Sequence, residues 1–250
     1  MPPRNHVLSI AGFDPSAGAG ILADIKTFEA NHVYGFGVCS AMTFQNDRNF
    51  ENVEWIEVEN IIRQIEVLFK RFKINWVKIG LIENVAVLKR IVEYLVMQNP
   101  DIKIIWDPIL KASSGFIFNE KIDADKLIGV CKNILLITPN MEEIATLFPG
   151  MNEEEAGKYL SRYCAVLLKG GHRTNGNPID VLFYDDKQES FDGVRIDNDK
   201  HGTGCVLSSS ILANLAKGLK LKDACEEAKK YINRFLESNS TLLGDHIFVG

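Results

Sequence analysis

The sequence contains no long apolar stretch. None of its hydrophobic runs approaches the ~20 residues that a helix needs to cross a bilayer. The opening residues MPPRNHVLSIAG contain no apolar segment that ends in a cleavage site. We therefore expect no membrane span and no signal peptide.

The sequence lacks a cysteine pattern that would suggest disulfide bonds. The five cysteines are Cys39, Cys131, Cys164, Cys205 and Cys225, with no C-x-x-C pair. An odd number of unpaired thiols fits a reducing compartment, so we predict a cytoplasmic protein. A chain of this length also buries enough surface to fold without a metal or disulfide. We expect four of these thiols to be small buried hydrophobic groups, and Cys205 to differ.

Basic runs and low-complexity segments are missing as well. The 28 Lys and Arg residues are outnumbered by 33 Asp and Glu residues, which gives a formal net charge of −5. This balance argues against a partner that is nucleic acid or an anionic membrane. The hydrophobic fraction of 46% is that of an ordinary globular protein. No linker or internal repeat divides the chain, so we predict a single domain over residues 1–250.

What the sequence does contain is a regular alternation of short apolar runs and amphipathic segments. The predicted strands are 6–12, 33–44, 76–81, 103–108, 135–139 and 165–171, followed by a hairpin at 179–185 and 190–196. The predicted helices are 20–32, 60–72, 84–98, about 123–133, two within 140–163, and two that begin near 204 and 221. Strands that alternate with helices indicate right-handed βαβ units, hence an α/β protein with a mostly parallel sheet. The polar residues 45–55 interrupt the alternation and suggest a small excursion from the sheet.

A glycine-rich turn links the first predicted strand to the first predicted helix. Within SIAGFDPSAGAGILADIK (9–26), the segment GAGILA matches the dinucleotide pattern G-x-G-x-x-A. That pattern expects an acidic residue about 20 positions later, and none is present there. The P-loop pattern fails too, because the chain has no Gly-Lys-Ser/Thr. The turn, flanked by Asp14 and Asp24, is either a close approach to a ligand or only a tight turn.

Further polar residues follow the later predicted strands. Asp107 ends one strand and is suited to a hydrated magnesium ion, although a turn or helix cap explains it equally well. Asn140 and Glu143 are spaced as a helix cap with an acidic first turn. Lys169 precedes two glycines, where its ammonium group could reach a phosphate. In an α/β sheet these positions share one edge, where ligands bind.

The most specific segment is HGTGCVLSSSILANLAKG (201–218). Gly202 and Gly204 leave the backbone N–H groups open at the start of a strongly helical run. Unpaired donors at the positive end of a helix dipole form an anion hole. Cys205 lies at this end, where we expect the pKa of a thiol to fall toward neutrality. Negative charge on a transferring phosphoryl group would be stabilised there.

Together these motifs resemble the ribokinase superfamily, and more closely its hydroxymethylpyrimidine/phosphomethylpyrimidine kinases of thiamine biosynthesis. The match runs in order along nearly the whole chain, through SIAGFDPSAGAGILADIKTFEA, TFQN, VKIGLI, DPILKASSG, TPNMEE, LLKGGH and HGTGCVLSSSILANLAKG. The resemblance implies a ribokinase-like three-layer α/β/α sandwich with a mostly parallel central sheet. It also implies phosphoryl transfer from ATP, with Mg²⁺, to the pyrimidine alcohol and then to its monophosphate, in a homodimer.

The resemblance also implies roles for individual residues. The catalytic set is Gly202, Thr203, Gly204, Cys205 and Lys169. The substrate-binding set is Gln45, Asp24, Ala19, Thr43, Leu81 and Ile109. The ATP-binding set is Asn140, Lys169 and Thr174. Asp107 and Glu143 would hold magnesium through water.

Some residues depart from the family pattern, and other functions compete. Phe13, Ala17, Leu81 and Lys111 replace residues that are usual in the family, and they bear on specificity more than on chemistry. A pyridoxine/pyridoxal kinase is the alternative enzyme, because some vitamin B6 kinases share the G-T-G-C ending. A catalytically silent ligand-binding module is the alternative from another class. The amide in TFQN favours the aminopyrimidine, because an amide both donates and accepts.

Overall fold

The structure, a computed structural model, describes residues 4–112, 115–116, 118, 123–170, 178–193, 196 and 198–249. The strands in this part of the chain are β1 (His6–Phe13), β2 (Tyr34–Gln45), β3 (Phe50–Trp55), β4 (Trp76–Ile79), β5 (Lys103–Trp106), β6 (Leu136–Ile137), β7 (Ala165–Leu168), β8 (Ile179–Tyr184) and β9 (Lys187–Asp192). The helices are α1 (Gly20–Ala30), α2 (Val58–Phe69), α3 (Val85–Gln98), α4 (Ala124–Cys131), α5 (Met141–Leu147), α6 (Glu153–Leu160), α7 (Thr203–Ala216) and α8 (Leu221–Glu237).

The described strands form one nine-stranded sheet in the order β3-β2-β1-β4-β5-β6-β7-β8-β9. The pairs from β2 to β7 are parallel, whereas β3, β8 and β9 pair antiparallel with their neighbours. The predicted mostly parallel sheet is therefore confirmed. Because parallel strands end at the same edge, the segments that follow β1, β4, β5, β6 and β7 meet there.

Helices cover both faces of the sheet. Successive residues of a strand point to opposite faces, so Ile104 packs in one apolar cluster and Ile105 in the other. The first cluster includes buried side chains of α2 to α6, and the second includes those of α1, α7 and α8. This arrangement is the predicted three-layer α/β/α sandwich. In the described residues, no helix is both long and apolar enough to span a membrane.

Helix α7 is the most deeply buried helix of the second layer. Every residue from Cys205 to Ala216 is buried, including Ser208, Ser209 and Ser210. A helix that is buried on all sides has no polar face, which explains the apolar composition of this segment. Its contacts with β1, β4 and β5 place it against the middle of the sheet.

One sequence interpretation needs correction. Residues 50–55 belong to the sheet, because they form β3, which pairs antiparallel with β2 in the register Ala41↔Trp55 to Gln45↔Phe50, and residues 46–49 are the turn between the two strands. The segment is polar because β3 is the edge strand, and edge strands carry charged residues that discourage further pairing. Glu51 and Glu54 are exposed accordingly.

Candidate active site

The amino terminus of α7 has the open geometry that the sequence predicted. Gly202 is the N-cap, with a φ of 77°, and no side chain caps the first turn. A Cβ atom at this position would lie 2.0 Å from the carbonyl oxygen of Gly18, so only glycine fits. The Thr203 hydroxyl donates to the Lys200 carbonyl at 2.8 Å. The first-turn amides are therefore left for an external anion.

The glycine-rich turn after β1 packs directly against this helix terminus. The Asp14 carboxylate accepts hydrogen bonds from the backbone N–H groups of Ser16 and Ala19, each at 2.8 Å. It also lies 3.0 Å from Nε2 of His201. Burial acts to raise the pKa of Asp14, but the bonds from His201 and Ser16 outweigh it and hold this pKa below its usual range. Asp14 thus fixes Ala19, the N-cap of α1, beside Gly202.

Asp107, Glu143 and Lys169 come together from three neighbouring strand ends. Lys169 Nζ lies 3.0 Å from Oδ1 of Asp107 and 3.8 Å from Oε2 of Glu143. The Thr138 hydroxyl donates to the same Asp107 oxygen at 2.9 Å. A Cβ atom on Gly204 would lie 3.3 Å from Lys169 Nζ and 3.6 Å from Asp107 Oδ2. The cluster therefore borders the first turn of α7.

Burial and mutual charge shift the ionisation of this cluster. Burial acts to raise the pKa of Asp107, but Lys169 and Lys78 lower it below its usual range. Burial raises the pKa of Glu143 to about 7, against the attraction of Lys169 and with a further contribution from the nearby Asp107 charge. For Lys169, the two carboxylates outweigh burial and raise its pKa. Lys169 is therefore charged at neutral pH, beside one fully ionised carboxylate.

Glu143 also caps helix α5, which is the structural role that the sequence pattern indicated. Asn140 and Glu143 form a reciprocal capping box at the start of α5, with bonds of 2.8 Å and 2.7 Å. The helix-cap interpretation is thus confirmed for both residues. The same Oε2 atom of Glu143 faces Lys169, so the cap also positions an acidic group at the site.

A glycine holds the end of β7 close to β8. A Cβ atom on Gly170 would lie 1.9 Å from the Ile179 carbonyl oxygen, and the Gly170 N–H donates to Asp180 at 2.8 Å. This contact fixes the backbone next to Lys169. Thr174, which the resemblance assigned to ATP, lies outside the described residues.

Residues assigned to the substrate gather at the end of β2. Gln45 Nε2 donates to the Thr43 hydroxyl at 2.9 Å, and that hydroxyl donates to the Phe13 carbonyl at 2.8 Å. A Cβ atom on Gly12 would lie 3.0 Å from Leu81 and 3.5 Å from Thr43. These side chains therefore share one wall. Ile109 lies near Asp107 and lines a small cavity with Gly80, Ile82 and Trp106.

Asp24 does not fit the substrate contact that the resemblance implied. Its side chain is completely buried, and both of its carboxylate oxygens lie 2.8 Å from Lys78 Nζ. The hydroxyls of Ser9 and Ser209 donate to the same carboxylate. Asp24 is thus an internal counter-ion. Sequence reasoning missed Lys78, although a lysine inside the apolar strand WVKIGL was an available signal, because lysine is rarely buried unless paired.

The ionisation expected for Cys205 is also wrong. Its side chain is buried, and burial raises the pKa of the thiol to about 11. The positive charge of Lys78 acts in the opposite direction but does not overcome the burial. Cys205 therefore remains a neutral thiol near pH 7.

Comparisons with known proteins agree with this geometry. The sequence profile of the family described as phosphomethylpyrimidine kinase matches residues 14–249. The chain belongs to this family. It is 33% identical to the hydroxymethylpyrimidine/phosphomethylpyrimidine kinase of Escherichia coli strain K12, over 97% of this chain and 95% of that protein.

Solved structures give the same result. The crystal structure of phosphomethylpyrimidine kinase from Clostridium difficile 630 superposes with a TM-score of 0.78 at 31% identity, covering 92% of this chain and 99% of that chain. An ADP complex of Bacillus subtilis pyridoxal kinase has a TM-score of 0.80 at 27% identity, covering 93% and 91%. The chain is thus a ribokinase-like phosphotransferase.

Proposed function

We propose that this protein transfers a phosphoryl group from MgATP to 4-amino-5-hydroxymethyl-2-methylpyrimidine, and then a second one to the resulting monophosphate, in thiamine biosynthesis. The observation that carries the proposal is the convergence at Gly204. There the uncapped first turn of α7 borders Lys169 and Asp107 within 4 Å of a virtual Cβ atom. Open amides, a fixed cation and a carboxylate are the groups that phosphoryl transfer requires.

The residues of the site divide the work of transfer between them. The amides that follow Gly202 stabilise the negative charge that develops on the transferring group. Lys169 adds a fixed positive charge for the nucleotide phosphates. Cys205, as a neutral thiol, lies beside the acceptor oxygen without repelling a phosphorylated substrate. Asn140 and Thr174 remain proposed contacts of ATP.

The carboxylates fit a magnesium ion. Mg²⁺ is usually held by one or two carboxylates together with waters and substrate phosphates. Asp107 and Glu143 both lie within 4 Å of Lys169 Nζ, and the Asp107 charge contributes to the raised pKa of Glu143. A divalent cation would relieve that repulsion. When bound, it would neutralise phosphate charge during transfer, and the two carboxylates would hold it through water.

The choice of an aminopyrimidine as substrate rests on the amide of Gln45. Because its Nε2 group donates to Thr43, its Oε1 atom is left to accept a hydrogen bond. The exocyclic amino group of the aminopyrimidine is such a donor. Ala19, Thr43, Leu81 and Ile109 complete the proposed substrate site.

Pyridoxal kinase is a second candidate, and the likeness to the Bacillus subtilis enzyme favours it. An assay of ATP consumption that offers the pyrimidine alcohol, its monophosphate and pyridoxal side by side separates the candidates. We expect turnover of both pyrimidines, and loss of turnover in Lys169→Met but not in the surface control Lys222→Met. Turnover of pyridoxal alone would overturn the substrate assignment, and turnover of no acceptor would favour a silent binding module.

The proposal includes a cytoplasmic location and a homodimer, as the sequence and its resemblance suggest. Size-exclusion chromatography with light scattering measures the second of these. A single mass of one chain at micromolar concentration would contradict the dimer.

A further inference from the structure

A buried ion pair lies beneath the start of α7. Lys78 of β4 and Asp24 of α1 both have side chains with 0% exposure. The Lys78 ammonium group lies 2.8 Å from each Asp24 oxygen. Ser9 Oγ of β1 and Ser209 Oγ of α7 also donate to Asp24, at 2.5 Å and 2.7 Å. One carboxylate therefore ties four elements together through charged and neutral hydrogen bonds.

Such a pair is not explained by stability alone. Removing two charges from water costs several kcal/mol for each ion, and apolar residues of similar size often replace a buried pair without loss of stability. Burying a lysine inside β4 therefore costs free energy that an apolar residue of similar size would not. The position of the pair relative to the site suggests another use for the charge.

The pair lies next to the proposed site. Two consecutive serines of α7 connect them: Ser209 Oγ donates to Asp24 at 2.7 Å, and Ser208 Oγ donates to Oδ2 of Asp107 at 3.3 Å. A Cβ atom on Gly80 would lie 3.1 Å from Lys78 Nζ, so the ammonium group lies under the turn that leads to Leu81.

We propose that Lys78 is a positioning residue for phosphoryl transfer, whose ammonium group, held by Asp24 beneath α7, favours negative charge at the acceptor oxygen beside Cys205 and on the transferring group. This inference rests on the proposed function. The Lys78 side chain has no exposed surface with which to touch a substrate or nucleotide. It acts through a buried field, which is little screened because water is excluded. Asp24 keeps the lysine charged and fixes its direction.

Two variants separate this role from a structural one. Lys78→Met leaves Asp24 buried without its counter-ion, so we expect a lower melting temperature together with lower activity. Lys78→Met/Asp24→Leu removes both charges, and we expect its melting temperature to recover toward that of the wild type. Its kcat should nevertheless stay at least about tenfold below the wild type, with KM for ATP changed less than about twofold. Recovery of kcat together with melting temperature would overturn the proposal.

Binding gives a readout that does not depend on turnover. Calorimetry should show that the double variant binds MgADP with aluminium fluoride at least about tenfold more weakly, while MgADP alone binds as in the wild type. The matched control is the exposed pair variant Lys222→Met/Glu189→Leu, which should change neither affinity. Equal affinity of the double variant and the wild type for the fluoride complex would contradict the proposal.

Failure of the proposed function and failure of the Lys78 proposal give different results. If the wild type turns over neither pyrimidine, the proposed function fails, and the calorimetric comparison still tests the influence of Lys78 on a phosphoryl analogue. If the wild type is active and the double variant is equally active, only the role of Lys78 fails. Where the apolar double variant does not fold, Lys78→Gln/Asp24→Asn provides the same comparison with hydrogen-bonding side chains.

Discussion

His201 Nε2 lies 3.0 Å from Oδ2 of Asp14, although the two residues are 187 positions apart in the sequence. This contact joins the glycine-rich turn after β1 to the segment that opens α7. Both side chains are buried, with exposures of 9% for His201 and 1% for Asp14. The proposed anion hole at the start of α7 is therefore held in place by the glycine-rich turn, and its geometry depends on this contact.

Replacing Asp14 should loosen that contact. In Asp14→Ala, the N–H groups of Ser16 and Ala19 and the ring of His201 lose their shared acceptor. We expect the free energy of unfolding to fall by about 1–3 kcal/mol, as measured by urea denaturation, and kcat to fall with it. Ser16→Ala removes a hydroxyl group that donates to Asp14 and accepts a long bond from the Gly18 N–H, and it should cost less than about 1 kcal/mol. Equal losses in the two variants would refute the shared role of Asp14.

Gly202 and Gly218 offer a matched pair on the same helix. Both have a positive φ, 77° and 96°, but a Cβ atom on Gly202 would meet the Gly18 carbonyl oxygen at 2.0 Å, whereas one on Gly218 would meet nothing within 4 Å. Gly218→Ala should cost about 1 kcal/mol of stability through backbone strain and leave activity intact. Gly202→Ala should abolish most activity, because the turn and the helix terminus must separate. Comparable kcat values in the two variants would show that this close approach does not matter.

The variant Cys205→Asp tests why the motif HGTGC ends in a thiol rather than a carboxylate. The second substrate already bears roughly 1.5–2 negative charges near neutral pH, by analogy with phosphorylated side chains. A neutral thiol tolerates that charge, whereas a carboxylate would repel it. We expect the variant to lose much more activity with the monophosphate than with the alcohol when the two kcat/KM values are compared. Poor use of the alcohol with normal use of the monophosphate would contradict the argument.

His246 makes stability depend on pH. Burial lowers its pKa from 6.5 to about 4, with a further contribution from Lys26 and against the attraction of Asp245. The unfolded chain therefore takes up this proton near pH 6.5, but the folded chain does so only near pH 4. Stability should be unaffected above pH 6.5 and should decrease as the pH falls through this window. Melting temperatures of His246→Asn should decline less steeply between pH 6.5 and pH 4.5, and parallel curves would refute this assignment.

Much of the fold could be predicted because its signals are local. Sequence patterns placed β1, α3 and the start of α8 within a few residues of their observed positions, because β1 is a short apolar run buried on both faces and each of the two helices buries one apolar face. The edge strand β3 was missed because its polar residues belong to a surface that only the assembled sheet defines. Boundaries such as those of α2, predicted at 60–72 and observed at Val58–Phe69, depend on tertiary contacts.

The site could be predicted only in part. Motifs located Asp107, Glu143, Lys169 and Cys205, because strand ends and helix starts are visible in the sequence. The burial that reverses the expected pKa shift of Cys205 is not visible there. Nor is the pairing of Asp24 with Lys78, which depends on α1 and β4 meeting across 54 residues of sequence.

The most direct test of the account is a crystal structure with MgADP, aluminium fluoride and the hydroxymethylpyrimidine. We predict that the fluoride group lies within hydrogen-bonding distance of the N–H groups of residues 202–205, with the hydroxyl of the pyrimidine beside Sγ of Cys205. A fluoride group bound elsewhere, with the amides of this turn left to water, would contradict the central claim that the start of α7 is the site of phosphoryl transfer.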